Sequence, residues 1–468
     1  MFVGRQAELD RLEELYGTRK FQMVVVYGRR RVGKTTLVSK FAKGKRALFF
    51  TALDQGDQNN LADFSAAIQN FFGLSGMQGS FASWAAAFDF LAQRAAEKSF
   101  VFIFDEFPYA AQKSKALPSV LQVAVDHAFK NTGMFLILCG SNQGFMESEV
   151  LGRRSPLFGR RTAQMKISPL NYLDARKLLP DVGAQDAFRY YGCFGGVPYY
   201  LTLIDPARGF RENLARLYFD PSGFLFEEPF GLLRQELAEP AMYNSILRAI
   251  AGGANRPHLM ADRTGIAQTS LPRYLKTLVE LGIIERVVPF GENPESSKRA
   301  IYQMMDACYD FWFRFVMPSI SDIEGGLGSV VADSLKEGRI DEYLRGRFER
   351  LCLEWLKLEA ARRELPIPAT TVGSWWGTDP AKKMQTDIDV LAADRAGKRL
   401  LIGECKYREN FDESAVLESL QSKRELVKGY RVVAQYVFSK HEVSQATQEK
   451  AGRIFRFVTL DGMYEGEN

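Results

Sequence analysis

Three groups of residues in this sequence have types and spacings that can do chemistry. The run GRRRVGKT at 28–35 has the GxxxxGK[ST] spacing, in which glycines let backbone N–H groups curl round phosphates. Gly28, Arg29, Arg30, Arg31, Val32, Gly33, Lys34, Thr35 and Thr36 would cradle a nucleoside triphosphate, Lys34 reaching the outer phosphates and Thr35 offering its hydroxyl to magnesium. The three arginine side chains inside the loop are expected to point away from the phosphates and could equally meet a partner. The second half of such a site is an acid at the end of another buried strand, and the apolar run 100–104 followed by Asp105 and Glu106 supplies it. Asp105 would hold magnesium, and Glu106 would polarise the attacking water. ATP and Mg2+ are the expected cofactors, and ATP hydrolysis the expected reaction.

Two further features surround this engine. A run at 134–139 ends in Gly140, Ser141 and Asn142, where Asn142 could sense the γ-phosphate or simply form a polar turn. The loop 152–161 carries Arg153, Arg154, Arg160 and Arg161 with few competing acids, the presentation an arginine finger needs. Arg160 and Arg161 are the finger candidates, with surface or nucleic-acid contacts as the other use of these arginines. A finger acting in trans would require a homo-oligomer.

The third group lies near the C-terminal end. Glu404 and Lys406 are two apart on a strand and so share a face, while Asp389 lies on the partner strand of the same hairpin. An Asp and a Glu converging can ligate a hard cation, and an adjacent Lys orients the attacking water, a combination that cleaves phosphodiesters. The same Glu and Lys could also form only a surface ion pair.

These side chains need elements to position them. The β-branched run 21–27 reads as a buried parallel strand and 36–42 as the helix after the loop. From Met242 to Tyr302 the pattern changes. An amphipathic helix at 243–250, a short helix entered at Thr264, and a helix at 271–281 with Ser270 as N-cap and Pro272 in its first turn precede a hairpin of 283–289 and 300–303. Helix, turn, helix and hairpin make a winged helix that would offer Arg273 and Lys276 to a groove and Lys298 and Arg299 to phosphates. It would serve equally as a protein-docking spacer. A helix at 341–356 then opens the last part, and Trp375 and Trp376 could stack bases or cover a core.

A chain of 468 residues is long enough for about three domains, each with its own core. The net charge of +5 is too small to decide nucleic-acid binding, which must rest on local patches. Five cysteines without CxxC spacing suggest neither disulfides nor zinc, and no apolar run reaches membrane-spanning length, so a cytoplasmic protein without membrane contact is expected.

The opening segment 2–12, the P-loop, the Asp105-Glu106 strand, the Gly152 loop and the 194–201 segment together resemble the archaeal-type ATPases of the STAND division of AAA-related NTPases. That resemblance implies that Gly196, Val197 and Pro198 belong to a helical lid reporting nucleotide state. The tail resembles the domain of unknown function often fused to such ATPases and the PD-(D/E)XK nuclease superfamily, with Glu404-Cys405-Lys406 as its E-x-K and Asp389 as its strand acid. It implies a further metal-ligating glutamate from the preceding helix, Glu349 rather than Glu354, and hence a metal set of Glu349, Asp389 and Glu404 beside that of Thr35 and Asp105. The fold class expected is α/β: a P-loop NTPase parallel sheet with helical lid at 1–230, a winged-helix domain at 231–305, and a C-terminal α/β restriction-endonuclease-like domain at 306–468. The function expected is ATP hydrolysis controlling a magnesium-dependent phosphodiesterase on nucleic acid, DNA foremost. The alternative is a regulatory NTPase switch whose nuclease-like tail is inactive.

Overall fold

The computed structural model describes residues 2–74, 79–179 and 181–465. The chain divides into two compact units: Met1–Leu170 with Val197–Tyr199, and Asn171–Gly196 with Tyr200–Asn468.

The first unit is built on β1 (Gln22–Tyr27), β2 (Ala47–Thr51), β3 (Val101–Asp105), β4 (Phe135–Gly140) and β5 (Ala163–Lys166), all parallel, in the order β2-β3-β4-β1-β5. Strands β1, β3 and β4 are buried at every residue, as central parallel strands covered on both faces must be. Side-chain alternation splits the core in two. Val25, Phe102 and Phe104 join an aromatic-rich cluster with Phe64, Trp84 and Phe88 on one face, while Val24, Val26 and Ile103 meet Leu37 and Phe41 on the other. Leu37 and Phe41 come from the helix Lys34–Ala42, which follows the P-loop as its chemistry requires. Gly28 has φ +149, and a Cβ there would stand 2.3 Å from the Ile167 carbonyl oxygen, so no other residue fits where β1 turns into the loop. Strand β4 lies between the P-loop strand and the acid-bearing strand, which brings its C-terminal end, Ser141, beside both.

The second unit begins with helices, among them Ala184–Phe194, Phe210–Tyr218 and Phe224–Glu236. Three helices follow, Pro240–Ala251, Pro257–Thr264 and Leu271–Glu280, and then the antiparallel pair β6 (Ile284–Val287) and β7 (Ile301–Met304). The short helix expected to begin at Thr264 instead ends there. Pro257 sits in its first turn, and Gly265 at φ +71 stops it in the left-handed conformation. Ser270 precedes the third helix as expected but makes no side-chain capping bond; its backbone is already helical.

The helix Glu337–Arg362 runs longer than the sequence reading gave it and leads to a five-stranded mixed sheet. Its strands are β8 (Thr371–Asp379), β9 (Met384–Asp394), β10 (Arg399–Lys406), β11 (Arg431–Ser439) and β12 (Phe455–Thr459), in the order β12-β11-β10-β9-β8. Neighbours β8/β9 and β9/β10 are antiparallel; β10/β11 and β11/β12 are parallel. The helix Glu413–Ser422 supplies Val416, Leu417 and Leu420 to the core under this sheet. Among the described residues no helix is long and apolar enough to cross a membrane.

Candidate functional site

In the first unit, the hydroxyl of Thr35 donates to Oδ2 of Asp105 at 2.9 Å, so the loop and the acid of β3 meet side by side. Asp105 is buried, and its other oxygen accepts from the Glu106 N–H at 3.0 Å. Lys34, also buried, folds back to donate to the Arg29 carbonyl at 2.8 Å, holding its ammonium over the loop that would receive phosphates. Below it, burial and then the charge of Asp105 push the Cys139 thiol well up and keep it protonated. Two of the three loop arginines turn to tyrosines. Arg30 donates to the Tyr109 hydroxyl, and the Arg31 guanidinium lies 5.0 Å over the Tyr199 ring. Val32 is in the core, and its carbonyl accepts from the buried Arg5, which also bonds the Ser168 carbonyl. Thr36 is exposed on the first turn of the helix.

Glu106 has φ +48 and ψ +40, a left-handed conformation costly for a residue with a Cβ. Its Oε2 accepts from the Ser141 N–H at 3.1 Å and the Ser141 hydroxyl at 2.8 Å. Ser141 is the partner the sequence reading passed over in favour of Asn142. The Asn142 side chain caps the next turn, accepting from the Phe145 N–H at 2.9 Å, which is the polar-turn alternative. The two arginine candidates part company. Arg160 is bound to Asp126 through Nε and Nη2, at 2.7 Å for the shorter ion pair, and to the Pro156 and Phe158 carbonyls. This ties it to the helix Leu117–His127 and holds the Asp126 carboxyl well below the ordinary range. Arg161 instead contributes positive charge to Tyr27, the residue preceding Gly28.

In the second unit the β9–β10 hairpin brings Asp389, Glu404 and Lys406 together. Oδ2 of Asp389 accepts from the Cys405 N–H at 2.8 Å, and Lys406 Nζ donates to Glu404 Oε1 at 2.7 Å. A residue that the sequence reading did not single out completes the group: Lys423, buried at the end of the helix Glu413–Ser422, donates to Glu404 Oε2 at 2.8 Å. Burial alone would raise the Glu404 carboxyl, but the two lysines hold it below its ordinary value. Burial, and then the charge of Glu404, drive Asp389 the other way, upward. Glu349, on the long helix, has open surface on an adjoining cavity, yet dense surroundings and then Asp389 and Asp387 push it up to about 8. Glu354 faces elsewhere: its carboxylate accepts from the Tyr191 hydroxyl at 3.0 Å, and burial lifts it to about 7.

Among the described residues no group of three or more His, Cys, Asp or Glu side chains is placed to hold a metal ion, so Glu349, Asp389 and Glu404 do not form one. Two ammonium groups bond both oxygens of Glu404.

The adjoining cavity, about 360 Å3, is walled by Glu285 and Gln303 of the β6–β7 hairpin, by Glu349 and Arg350, and by Trp376 and Asp389. The hairpin loop is anchored there and does not project. The Phe290 ring enters the core under the sheet beside Ile388 and Tyr430, its N–H donates to the Ser374 carbonyl at 2.9 Å, and Arg299 bonds both the Trp376 carbonyl and Glu292. Of the two expected phosphate contacts at the wing, Arg299 is thus spent on docking and Lys298 stays exposed. On the third helix Arg273 pairs with Glu239 at 2.7 Å and Lys276 with Glu280 at 3.6 Å, both at the surface.

Comparison with known proteins gives three family matches. A family described as an ATPase domain predominantly from Archaea matches residues 2–204, an IclR helix-turn-helix domain matches 245–287, and a domain of archaeal and bacterial proteins of unknown function matches 312–421. A Walker-type ATPase of Pyrococcus abyssi is similar in structure with a TM-score of 0.49 at 20% identity, covering 67% of this chain and 96% of that one. The ORC2 protein of Aeropyrum pernix gives 0.41 at 15%, covering 69% and 94%. A segment of 46 residues is 48% identical to an uncharacterized ATP-binding protein of Methanocaldococcus jannaschii, covering 10% of this chain and 78% of the relative. An uncharacterized protein of the same organism is 30% identical over 448 residues, 94% of this chain and 97% of the relative. With that relationship running through nearly the whole length, the chain belongs to the same family as this uncharacterized protein, and its residues 2–204 form a domain of the archaeal ATPase type.

Proposed function

We propose that the chain is an ATP-hydrolysing switch acting on nucleic acid, divided into an ATPase with helical lid at 1–230, a winged helix at 231–305 and a PD-(D/E)XK-like tail at 306–468. The observation that carries the ATPase chemistry is the 2.9 Å bond from Thr35 to Asp105. A hydroxyl and a carboxylate oxygen at that spacing suit a hard cation, so Thr35 and Asp105 would hold magnesium, which supplies positive charge against the phosphate oxygens. Lys34 exchanges the Arg29 carbonyl for the outer phosphates. Glu106, released from Ser141, orients the attacking water and accepts its proton, and Arg161 faces the developing charge. Val197–Tyr199, the lid segment that belongs to the P-loop unit, gives nucleotide state a route to the rest of the chain through the Arg31–Tyr199 stack.

The phosphodiesterase reading of the tail is supported by Asp389, Glu404 and Lys406 on one hairpin, with Glu349 adjacent in charge. The carboxylates as arranged do not suit a divalent cation. That clamp of Lys406 and Lys423 on Glu404 favours the second reading, a switch whose tail holds nucleic acid without cutting it. One experiment separates them: supercoiled plasmid, linear duplex and RNA incubated with magnesium or manganese, with and without ATP, beside a Lys406→Ala control. Cutting that the variant loses establishes the phosphodiesterase. ATP turnover with no cutting in any lane establishes the second reading.

A further inference from the structure

A cavity of about 880 Å3 in the second unit shares no lining residue with the sites described above. It is walled by the first two helices of the helix-turn-helix region, the aromatic segment near Phe313 and Phe315, and the start of the long helix at Glu342 and Tyr343. Four arginines line it, Arg248, Arg263, Arg314 and Arg339, against a single acid, Glu342.

Three of the four guanidinium groups are positioned by contacts that leave most of their charge in place. Arg314 lies 5.8 Å over the Tyr343 ring and Arg339 5.8 Å over Phe315. Arg263 donates to the Gly252 carbonyl at 2.6 Å, and a Cβ at Gly252 would stand 2.6 Å from its Nη1, so the glycine makes room for that guanidinium. Arg314 has an ion pair, with Asp310 at 2.7 Å. Among the described residues Arg248 and Arg339 have none. Like charges converging on a concave wall reinforce one another and focus a positive field into the cavity. Arginines presented with so few carboxylates are the usual donor set for phosphate oxygens. The third helix contrasts with this, because its two basic residues are each paired with a glutamate.

We propose that this cavity is a phosphate site that grips the backbone of a nucleic acid, and that the positive charge of the helix-turn-helix region works here, on its first two helices, and not on the third. Backbone phosphates bound there would position the polymer without reading its sequence.

The test is binding of a fluorescent duplex, read by anisotropy over a salt series. It compares wild type, an Arg248→Gln, Arg339→Gln double variant, and an Arg273→Gln, Lys276→Gln double variant. Both pairs are exposed, so the folds should stand. Each phosphate contact contributes about 0.9 to the slope of log affinity against log salt, so losing two should flatten it by roughly 1.8. The expected result is that the cavity variant shows this flattening and binds at least tenfold more weakly at low salt, while the third-helix variant stays nearer to wild type. Equal affinity and slope for the cavity variant and wild type would overturn the proposal. So would a cavity that binds labelled ATP in a Lys34→Ala background, loses it with Arg248 and Arg339, and ignores duplex, since the source of phosphate would then be free nucleotide. Cleavage is not read in this assay, so a tail that proves inactive leaves the proposal standing.

Discussion

The bond from Thr35 to Asp105 joins residues 70 apart in sequence, and the position beside it is occupied by a glutamate in a conformation that costs energy. Strain of this kind persists where surrounding bonds over-determine it, and the two bonds from Ser141 do so. Glu106→Gln keeps the shape and one oxygen to accept both Ser141 bonds but removes the base. Phosphate release should fall by roughly 10²–10⁴ while a fluorescent nucleotide still binds. If binding is lost together with turnover, Glu106 is holding the site's structure and not acting on water. The tail offers a different test. A carboxyl raised to about 8 binds its proton more tightly in the folded chain than in the unfolded one, so stability declines as pH rises from the ordinary glutamate range to about 8 and levels off above it. Replacing Glu349 with Gln should remove that part of the decline, so urea midpoints of variant and wild type diverge in the variant's favour toward pH 9. Parallel midpoint curves would mean that Asp387 and Asp389 do not press on Glu349.

At the scale of elements, the wing is a strut. Phe290 is 9% exposed and packs with residues from β9, β10 and β11, so Phe290→Ala should cost about 3–5 kcal/mol in the second unit's unfolding. Loss of a ring there should also make the 288–300 loop open to limited proteolysis. A variant with wild-type melting would show that the hairpin does not depend on this anchor. The residues that dock it were not legible in the sequence, which offered a basic-tipped hairpin suited equally to phosphates or to protein docking. The P-loop, β3 with Asp105, and the β9–β10 hairpin were legible because each is a local pattern: a spacing, an acid after an apolar run, a turn between alternating strands. The partners that tune them were not. Ser141 reaches Glu106 only because β4 is inserted between β1 and β3, and Lys423 reaches Glu404 only because the helix Glu413–Ser422 ends over β10. Strand order and helix packing are long-range facts, and a lysine on a polar helix end carries no sign of the carboxylate it will meet. The short second helix differs from its expected place for the opposite reason, since Pro257 and Gly265 mark its ends locally and compete with a weaker pattern after Thr264.

For the molecule as a whole, the open question is whether one chain is a complete engine. Arg160 is held by Asp126 and two carbonyls, while Arg161 bonds the Leu151 carbonyl at 3.5 Å and lies over the Phe158 ring, and we propose Arg161 as the arginine that reaches a γ-phosphate. A finger in cis and a finger in trans make opposite predictions for mixtures of defective chains. Lys34→Ala removes the nucleotide grip but keeps Arg161; Arg161→Ala does the reverse. Each alone should be nearly inactive, with the finger's loss costing on the order of 10³-fold or more. If Arg161 acts on a neighbouring chain, mixing the two variants assembles intact sites from one partner's loop and the other's arginine. Turnover should then recover to a substantial fraction of wild type and rise with total protein concentration. If Arg161 serves its own loop, the mixture stays at the sum of two inactive proteins at every ratio and concentration, and an assembly need not be invoked for hydrolysis. Arg160→Ala should leave turnover intact in either case while lowering stability through the exposed loss of Asp126's partner, which separates a chemical role in this loop from a structural one.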